Sequence, residues 1–390
     1  MKKIQLVDTQ YWDQLKPLTL TKSIADVRLG ILTIKEKWEQ YFNQNVSIHT
    51  RSYLQPLYGP KLPSRYQINS ALLPNKDLTN EIINLKEGES LWVHEEWLAT
   101  HGALDTPTYQ HQLNEQIECN LLRYPEDIFI NVGNEIKKDI ALIESKTVLQ
   151  NISATNTVIG DHSVNIMHRA KMECCILNTE EGPIYIGEGA HIMEGSMLRG
   201  PISIGANTVV KMGTRIYNNT SIGPWCKVGG EIKNSVILGY SNKAHDGYMG
   251  NSVIGEWCNW GADTNNSNMK NNYTDVKLWE ITNEQFRNTG HQFVGLIMGD
   301  YSKTGINTMF NTGSVIGVSC NIYGTGFPRK FIPSFSWGGA HGFKTYQIER
   351  AIQTAQASQK RRDINLPQSE IDILNYIFIK SSKFRMWEKR

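Results

Sequence analysis

An aliphatic residue stands at every sixth position from Ile186 to Val228: Ile186, Ile192, Leu198, Ile204, Val210, Ile216, Ile222 and Val228. A period of six matches neither the 3.6-residue turn of an α-helix nor the two-residue repeat of a strand. It matches short strands turned at fixed corners and stacked as a parallel β-solenoid, with the aliphatic pointing inward on each rung. A second column agrees. Ala190, Ser196, Ile202, Thr208, Thr214, Thr220 and Cys226 follow four positions later and are nearly all small, as a narrow interior requires. Gly187, Gly205, Gly223 and Gly229 directly follow four of the aliphatics, where a corner is expected to need unusual backbone angles.

The repeat is expected to begin near Val148, with a first rung at Val158-Ile-Gly-Asp-His-Ser-Val164, and residues 167–183 read as an interruption. After Val228 the period breaks and resumes at Ile254-Gly255 and Trp260-Gly261. It breaks again across 265–295 and returns as Met298-Gly299, Thr304-Gly305, Phe310, Ile316-Gly317 and Ile322. The stretch 265–295 is therefore an insertion, and loops thrown out of a repeat are where chemistry is expected. Its asparagines, Asn265, Asn266, Asn268, Asn271 and Asn272, suit left-handed turns and binding equally.

Ahead of the repeat, short apolar runs alternate with helical patterns: Ile4–Val7, a helix-like span from Ile24 to Phe42, then 46–54, 66–73, a helical 78–85 and 90–93. That alternation predicts a small α/β domain over residues 1–105. A linker and a helix at Glu126–Ile143 fill 106–147, the solenoid occupies 148–342, and a helical, basic tail runs over 343–390, packed outside the solenoid. Within the first domain Thr19, Thr21, Lys22 and Arg28 cluster near a helix start, which suits either a bound phosphate or an ordinary cap with a surface cation.

A chain of 390 residues accommodates these two cores, and 40 basic against 38 acidic residues leave a net charge of only +2. Nothing in that balance calls for nucleic acid. No apolar run reaches signal-peptide or membrane-spanning length, so no membrane partner and a cytoplasmic location are expected. Six cysteines without a C-x-x-C spacing signal neither zinc nor a disulfide framework.

The segments Glu231-Ile-Lys233, Asn242-Lys-Ala-His245-Asp-Gly-Tyr248-Met-Gly250 and Glu256-Trp-Cys-Asn259-Trp-Gly-Ala262-Asp-Thr264, followed by Asn268, carry a resemblance. They resemble the acetyltransferase half of the bifunctional N-acetylglucosamine-1-phosphate uridylyltransferase/glucosamine-1-phosphate acetyltransferase family, in a shortened bacterial form. The match spans roughly residues 200–325. The resemblance implies an α/β nucleotidyltransferase-like domain joined to a left-handed parallel β-helix of hexapeptide repeats with a C-terminal helical tail, assembled as a homotrimer. It implies His245 as general base, Glu231 as the carboxylate that orients it, Arg215 and Lys233 on the sugar phosphate, and Tyr248, Asn259 and Asn268 as further acceptor ligands. Acetyl-CoA is the implied co-substrate, with Ala262, Gly305, Arg329 and Lys330 as its candidate contacts. A family lysine position falls on Thr274, for which Lys270 or Lys277 would substitute.

At the front, Leu15-Lys-Pro-Leu-Thr19 is similar to the end of the family's nucleotide signature without its glycines, and Asn69 stands where a metal-binding Asp is expected. Lys22, Asp26, Arg28 and Asn69 are the candidates for a rearranged nucleotidyl site, with UTP and Mg²⁺ as the candidate ligands of this domain. A loop lacking glycines brings fewer amides to a triphosphate, and a missing carboxylate weakens Mg²⁺ binding.

The chemistry has its own logic. Acyl transfer from a thioester to an amine needs a base for the amine's proton, a role an imidazole of pKa ~6.5 fills at neutral pH. The sequence predicts an acyl-CoA-dependent transferase acting on an amino-sugar phosphate or a nucleotide sugar. Two alternatives stand beside it: sugar-1-phosphate nucleotidyl transfer with the solenoid as trimer scaffold, and a carbohydrate-binding scaffold without catalysis. The sugar, the acyl chain and the choice of nitrogen or oxygen stay open.

Overall fold

The computed structural model describes residues 3–60, 63–102, 109–143 and 150–389. The boundaries expected near 105 and at 147–148 lie outside these described residues.

The N-terminal region is an α/β unit around a six-stranded sheet in the order Ser47–His49, Ile4–Val7, Tyr66–Asn69, Glu96–His101, Glu89–Val93, Tyr109–Gln112. Ile4–Val7 runs parallel to both its neighbours and every residue in it is buried, the pattern of a strand covered on both faces. The helix expected from Ile24 is shorter. Ile24–Asp26 is a single 3-10 turn, the chain doubles back with Arg28 bridging Thr33, and the α-helix is Ile34–Phe42. Thr33 and Glu36 form a reciprocal capping box there, which satisfies amides at the helix start and fixes where the helix begins. The linker expected between residue 106 and the helix at Glu126 also carries structure. Tyr109–Gln112 adds an edge strand to the sheet and Asn120–Leu121 pairs with Leu72–Leu73. That edge strand is exposed at every position, so it shows no apolar pattern to read. Glu126–Ile143 is a helix over the expected bounds.

From Thr157 onward the chain is a parallel β-solenoid. Ile186 pairs with Ile204 and Ile204 with Ile222, one turn of eighteen residues each. The eight aliphatics of the ruler are at most 2% exposed and the small column beside them is fully buried. The corner glycines have a different cause from the one expected. Gly187, Gly205 and Gly223 have no positive φ; a Cβ on Gly223 would lie 2.0 Å from the Leu238 carbonyl oxygen, so close approach of the next turn selects them. The left-handed corners are at Gly189, Asn207 and Trp225, with φ of 64°, 56° and 60°.

The breaks in the period are not breaks in the solenoid. Residues 167–183 form a complete turn, with Met172 paired to Ile192 and Leu177 to Leu198; added corner residues shift the hexad. After Val228 the turns shorten: Ile222 pairs with Ile237 and Val228 with Lys243, fifteen residues on. The insertion also starts later than expected, because Asn265 and Asn266 sit on a rung opposite Met309 and Phe310. It runs between the bridged pair Met269 and Phe293 and carries the hairpin Lys277–Glu280 with Gln285–Asn288.

That hairpin acts as a clamp. Arg287 pairs with Glu126 at 2.6 Å and Glu280 at 2.8 Å, and its guanidinium lies 3.6 Å from the Tyr124 ring centroid. The C-terminal helices, Ile348–Lys360 and Gln368–Ser381, do not simply line the outside. Tyr376 stacks on Tyr53 of the N-terminal region at 4.0 Å, while Glu370 accepts a 2.6 Å hydrogen bond from Tyr301 of the solenoid. They wedge the two bodies together.

Candidate functional site

One outer sheet of the solenoid brings a polar group together through its register. Arg215 lies beside Glu231, and Glu231 beside Tyr248, on consecutive turns. Same-face neighbours on adjacent strands stand close enough to interact. Arg215 Nε is 3.8 Å from Glu231 Oε2, and Lys233 Nζ lies 5.9 Å from the Tyr217 ring centroid. Asn268 Nδ2 donates to Tyr248 Oη at 2.9 Å and to Asn251 Oδ1 at 2.7 Å. Gly250 leaves room for that phenol, since a Cβ there would meet Tyr248 Oη at 2.2 Å. Burial, reinforced by the Glu231 carboxylate, raises the Tyr248 pKa, so the phenol is a neutral donor.

His245 is exposed on the corner that leads into Tyr248. Among the described residues no hydrogen bond joins it to Glu231, whose ion-pair partner is Arg215; the orienting contact expected of Glu231 is not made within this chain. What fixes the His245 turn is Lys243, a residue the sequence reading passed over. Its ammonium is buried and donates to the carbonyls of Gly229 at 2.8 Å and His245 at 3.0 Å. It thus ties the turn carrying His245 to the turn that leads into Glu231. The missed signal was its place, because position 243 faces inward opposite Val228.

Burial lowers the Lys243 pKa from 10.5 to about 8, against the pull of Asp246 and Asp263. The unfolded chain therefore binds more protons than the folded one between about pH 8 and 10.5, and the Lys243 contribution to stability rises with pH across that window. Carbon-13 NMR of the lysine Cε atoms is expected to show one resonance titrating near pH 8. A Lys243 midpoint at the ordinary lysine value contradicts the buried geometry.

The other expected ligands do not join this group. Asn259 lies on a different sheet, in register with Asn242 and Lys303. Ala262 and Gly305 share one corner, where Asn307 N donates to the Ala262 carbonyl at 2.8 Å. Arg329 and Lys330 belong to another corner, before Phe331–Ile332. Of the two lysines considered for position 274, Lys270 donates to Thr274 Oγ1 at 3.3 Å, while Lys277 is on the clamp hairpin.

The structure brings Lys22, Asp26 and Arg28 together around a cavity of about 320 Å³ between the N-terminal region, the solenoid and the helix Gln368–Ser381. Lys22 Nζ is held by Glu256 at 2.8 Å and Asp300 at 2.9 Å; burial opposes its charge, but those carboxylates keep its pKa above the usual lysine value. Asp26 accepts from Tyr58 Oη at 2.5 Å, and Arg28 is turned to the Ile31 carbonyl and Glu36. Four carboxyl groups, of Asp26, Glu256, Asp300 and Glu370, share its wall with the two cations, and burial raises the pKa of Asp26, Asp300 and Glu370. Asn69 is elsewhere, its amide spent on Ala71 N at 3.0 Å, Thr9 Oγ1 at 3.3 Å and the Trp97 carbonyl at 3.0 Å. No cluster of three His, Cys, Asp or Glu suited to a metal occurs among the described residues; Asp26, the one carboxylate among the residues expected near Mg²⁺, is engaged by Tyr58.

A second cavity, of about 470 Å³, opens near the carboxyl ends of the parallel strands. Lys16 Nζ and the Arg51 guanidinium lie 4.8 and 4.9 Å from the Trp12 ring centroid, and both bond Asp13, at 2.6 and 2.9 Å. Tyr53, Tyr376 and Lys380 complete its wall. Five separate segments build it, so sequence spacing could not reveal it.

Among the described residues no helix is long and apolar enough to cross a membrane. Residues 4–148 match the family described as sugar nucleotidyl transferase. None of the curated proteins compared with the chain matches it. Among solved structures the chain is similar to the Arabidopsis UDP-N-acetylglucosamine acyltransferase, at 13% identity and TM-score 0.29 over 52% of this chain and 76% of that one. It is similar to the polysialic-acid-specific acetyltransferase NeuO, at 14% identity and TM-score 0.29 over 54% of this chain and all of that one. The polysialic acid O-acetyltransferase OatWY aligns at 15% identity and TM-score 0.24, over 49% and 87% of the respective chains.

Proposed function

We propose that this chain transfers an acyl group, acetyl in the first instance, from its coenzyme A thioester to a phosphorylated or nucleotide-linked amino sugar. One observation carries the reading: the register stacks Arg215, Glu231 and Tyr248 on one face, with Lys233 and Asn268 beside them and His245 on the adjoining corner. Arg215 and Lys233 supply charge-assisted hydrogen bonds to a phosphate. Tyr248 and Asn268 address sugar hydroxyls. His245 removes a proton from the amine as its nitrogen bonds to the thioester carbonyl carbon; the carbon–sulfur bond then breaks, the imidazolium returns that proton to the departing sulfur, and coenzyme A leaves as the thiol. Resemblance to the bifunctional uridylyltransferase/acetyltransferase family supports this assignment, a homotrimeric assembly and a cytoplasmic setting in envelope-sugar synthesis. Release of free thiol from acetyl-CoA, followed with each member of a panel of amino-sugar phosphates, tests it. At least one acceptor is expected to accelerate release; none doing so refutes it.

A second activity, sugar-1-phosphate nucleotidyl transfer, is favoured by the family match over residues 4–148. We place its nucleotide in the cavity of Trp12, Lys16 and Arg51, not beside Lys22. Ile4–Val7 has a parallel neighbour on each side, and the crevice beyond the carboxyl end of such a strand is where α/β sheets receive ligands.

A further inference from the structure

The third outer sheet of the solenoid carries like charges with no counter-charge. Lys227, Asn242, Asn259 and Lys303 stack in one register row. Over it comes the end of the helix Ile348–Lys360, bringing Arg361 and Arg362. Lys303, Arg361 and Arg362 line a cavity of about 240 Å³ with Asn242, Asn259 and Tyr240, and among the described residues no carboxylate borders it.

The polar partners there are all neutral. Lys303 Nζ reaches the Trp257 carbonyl and Ser358 Oγ, each at 3.3 Å. Arg362 Nη2 donates to the Trp225 carbonyl at 3.2 Å, while Arg362 Nε and Asn242 Oδ1 are buried without a protein partner. Among the described residues, Lys211, Lys227, Lys303, Arg361 and Arg362 form none of the ion pairs found elsewhere in the chain. Burial, then Arg362, Arg361 and Lys211, lower the Lys227 pKa, the mark of cations crowded together. The helix C-terminus offers about half an elementary negative charge, too little for three whole positive ones.

We propose that this cavity binds a compact phosphoryl anion, either free pyrophosphate or the terminal phosphates of a larger ligand, through Lys303, Arg361 and Arg362, with the amide nitrogen of Asn259 completing the shell while that of Asn242 donates to Asn259 Oδ1 at 3.5 Å. Guanidinium forks suit phosphate oxygens bidentately. The volume is below that of pockets that enclose whole drug-sized ligands, so the site takes the anionic group and not an entire nucleotide. It lies on a different sheet from Arg215 and Glu231 and stands or falls apart from acyl transfer.

Calorimetric titration of the full chain with pyrophosphate tests this. Saturable binding is expected at millimolar concentration or below, weakening as salt screens the charges. Arg361→Gln combined with Arg362→Gln, and separately Lys303→Met, are expected to weaken it at least tenfold. Arg361 is exposed, and without pyrophosphate Arg361→Gln is expected to melt no lower than the wild type, because it relieves repulsion. UDP binding as tightly as pyrophosphate identifies a ligand-borne phosphate; pyrophosphate alone binding identifies the free anion. Absence of saturable binding by both, or affinities unchanged in the folded variants, overturns the proposal.

Discussion

His245→Ala is expected to lower kcat for acyl transfer by about 10²–10⁴-fold, the range that a positioned general base contributes. The exposed imidazole makes no hydrogen bond among the described residues, so its removal leaves Lys243, the corner backbone and the folded solenoid in place. KM for the sugar phosphate is expected to change little, because Arg215 and Lys233 sit on neighbouring turns of the adjacent sheet. A loss confined to kcat marks an interaction made in the transition state; a loss confined to KM marks uniform binding. Steady-state kinetics separates the two, and a variant with undiminished kcat removes His245 from the mechanism.

Lys22→Met is expected to cost about 3–5 kcal/mol of stability, the range for removing one partner of a buried ion pair. Asp300 carries most of that penalty: its side chain is 3% exposed and loses its one counter-ion among the described residues, whereas Glu256, at 31%, can turn toward water. The damage falls on the seam between the N-terminal region and the solenoid, where Thr21 also donates to Asp300 at 2.7 Å. Adding Asp300→Asn to Lys22→Met is expected to recover part of the loss. Denaturant titration measures both. A Lys22→Met protein as stable as the wild type, but deficient in pyrophosphate release from UTP, would return Lys22 to the role of a phosphate ligand.

The clean stretch of the ruler was legible because eighteen residues per turn leave every third hexad in register. Where turns shorten to fifteen, position 243 holds an inward lysine, and Asn265 and Asn266 occupy a rung; neither looks like solenoid interior to a reader counting aliphatics. The polar group of Arg215, Glu231, Lys233, Tyr248 and Asn268 is implied by the family resemblance, and the solenoid register supplies the physical reason that Arg215, Glu231 and Tyr248 are neighbours, since consecutive turns set them side by side. Asn259 could not be placed that way, because which of three sheets a residue faces depends on corner lengths that drift after Val228. The clamp of Arg287 on Glu126 and the union of Arg362 with Lys303 join segments far apart in the chain. Such contacts are set by docking of whole elements and leave no local pattern.

Mass spectrometry of the products formed from acetyl-CoA and a panel of amino-sugar phosphates is the most direct test of the central claim. An acetylated sugar phosphate is expected, formed one for one with coenzyme A by the wild type and lost with His245→Ala. Acetyl-CoA recovered intact with every acceptor, from a protein shown to be folded, would contradict it and leave the solenoid as a scaffold.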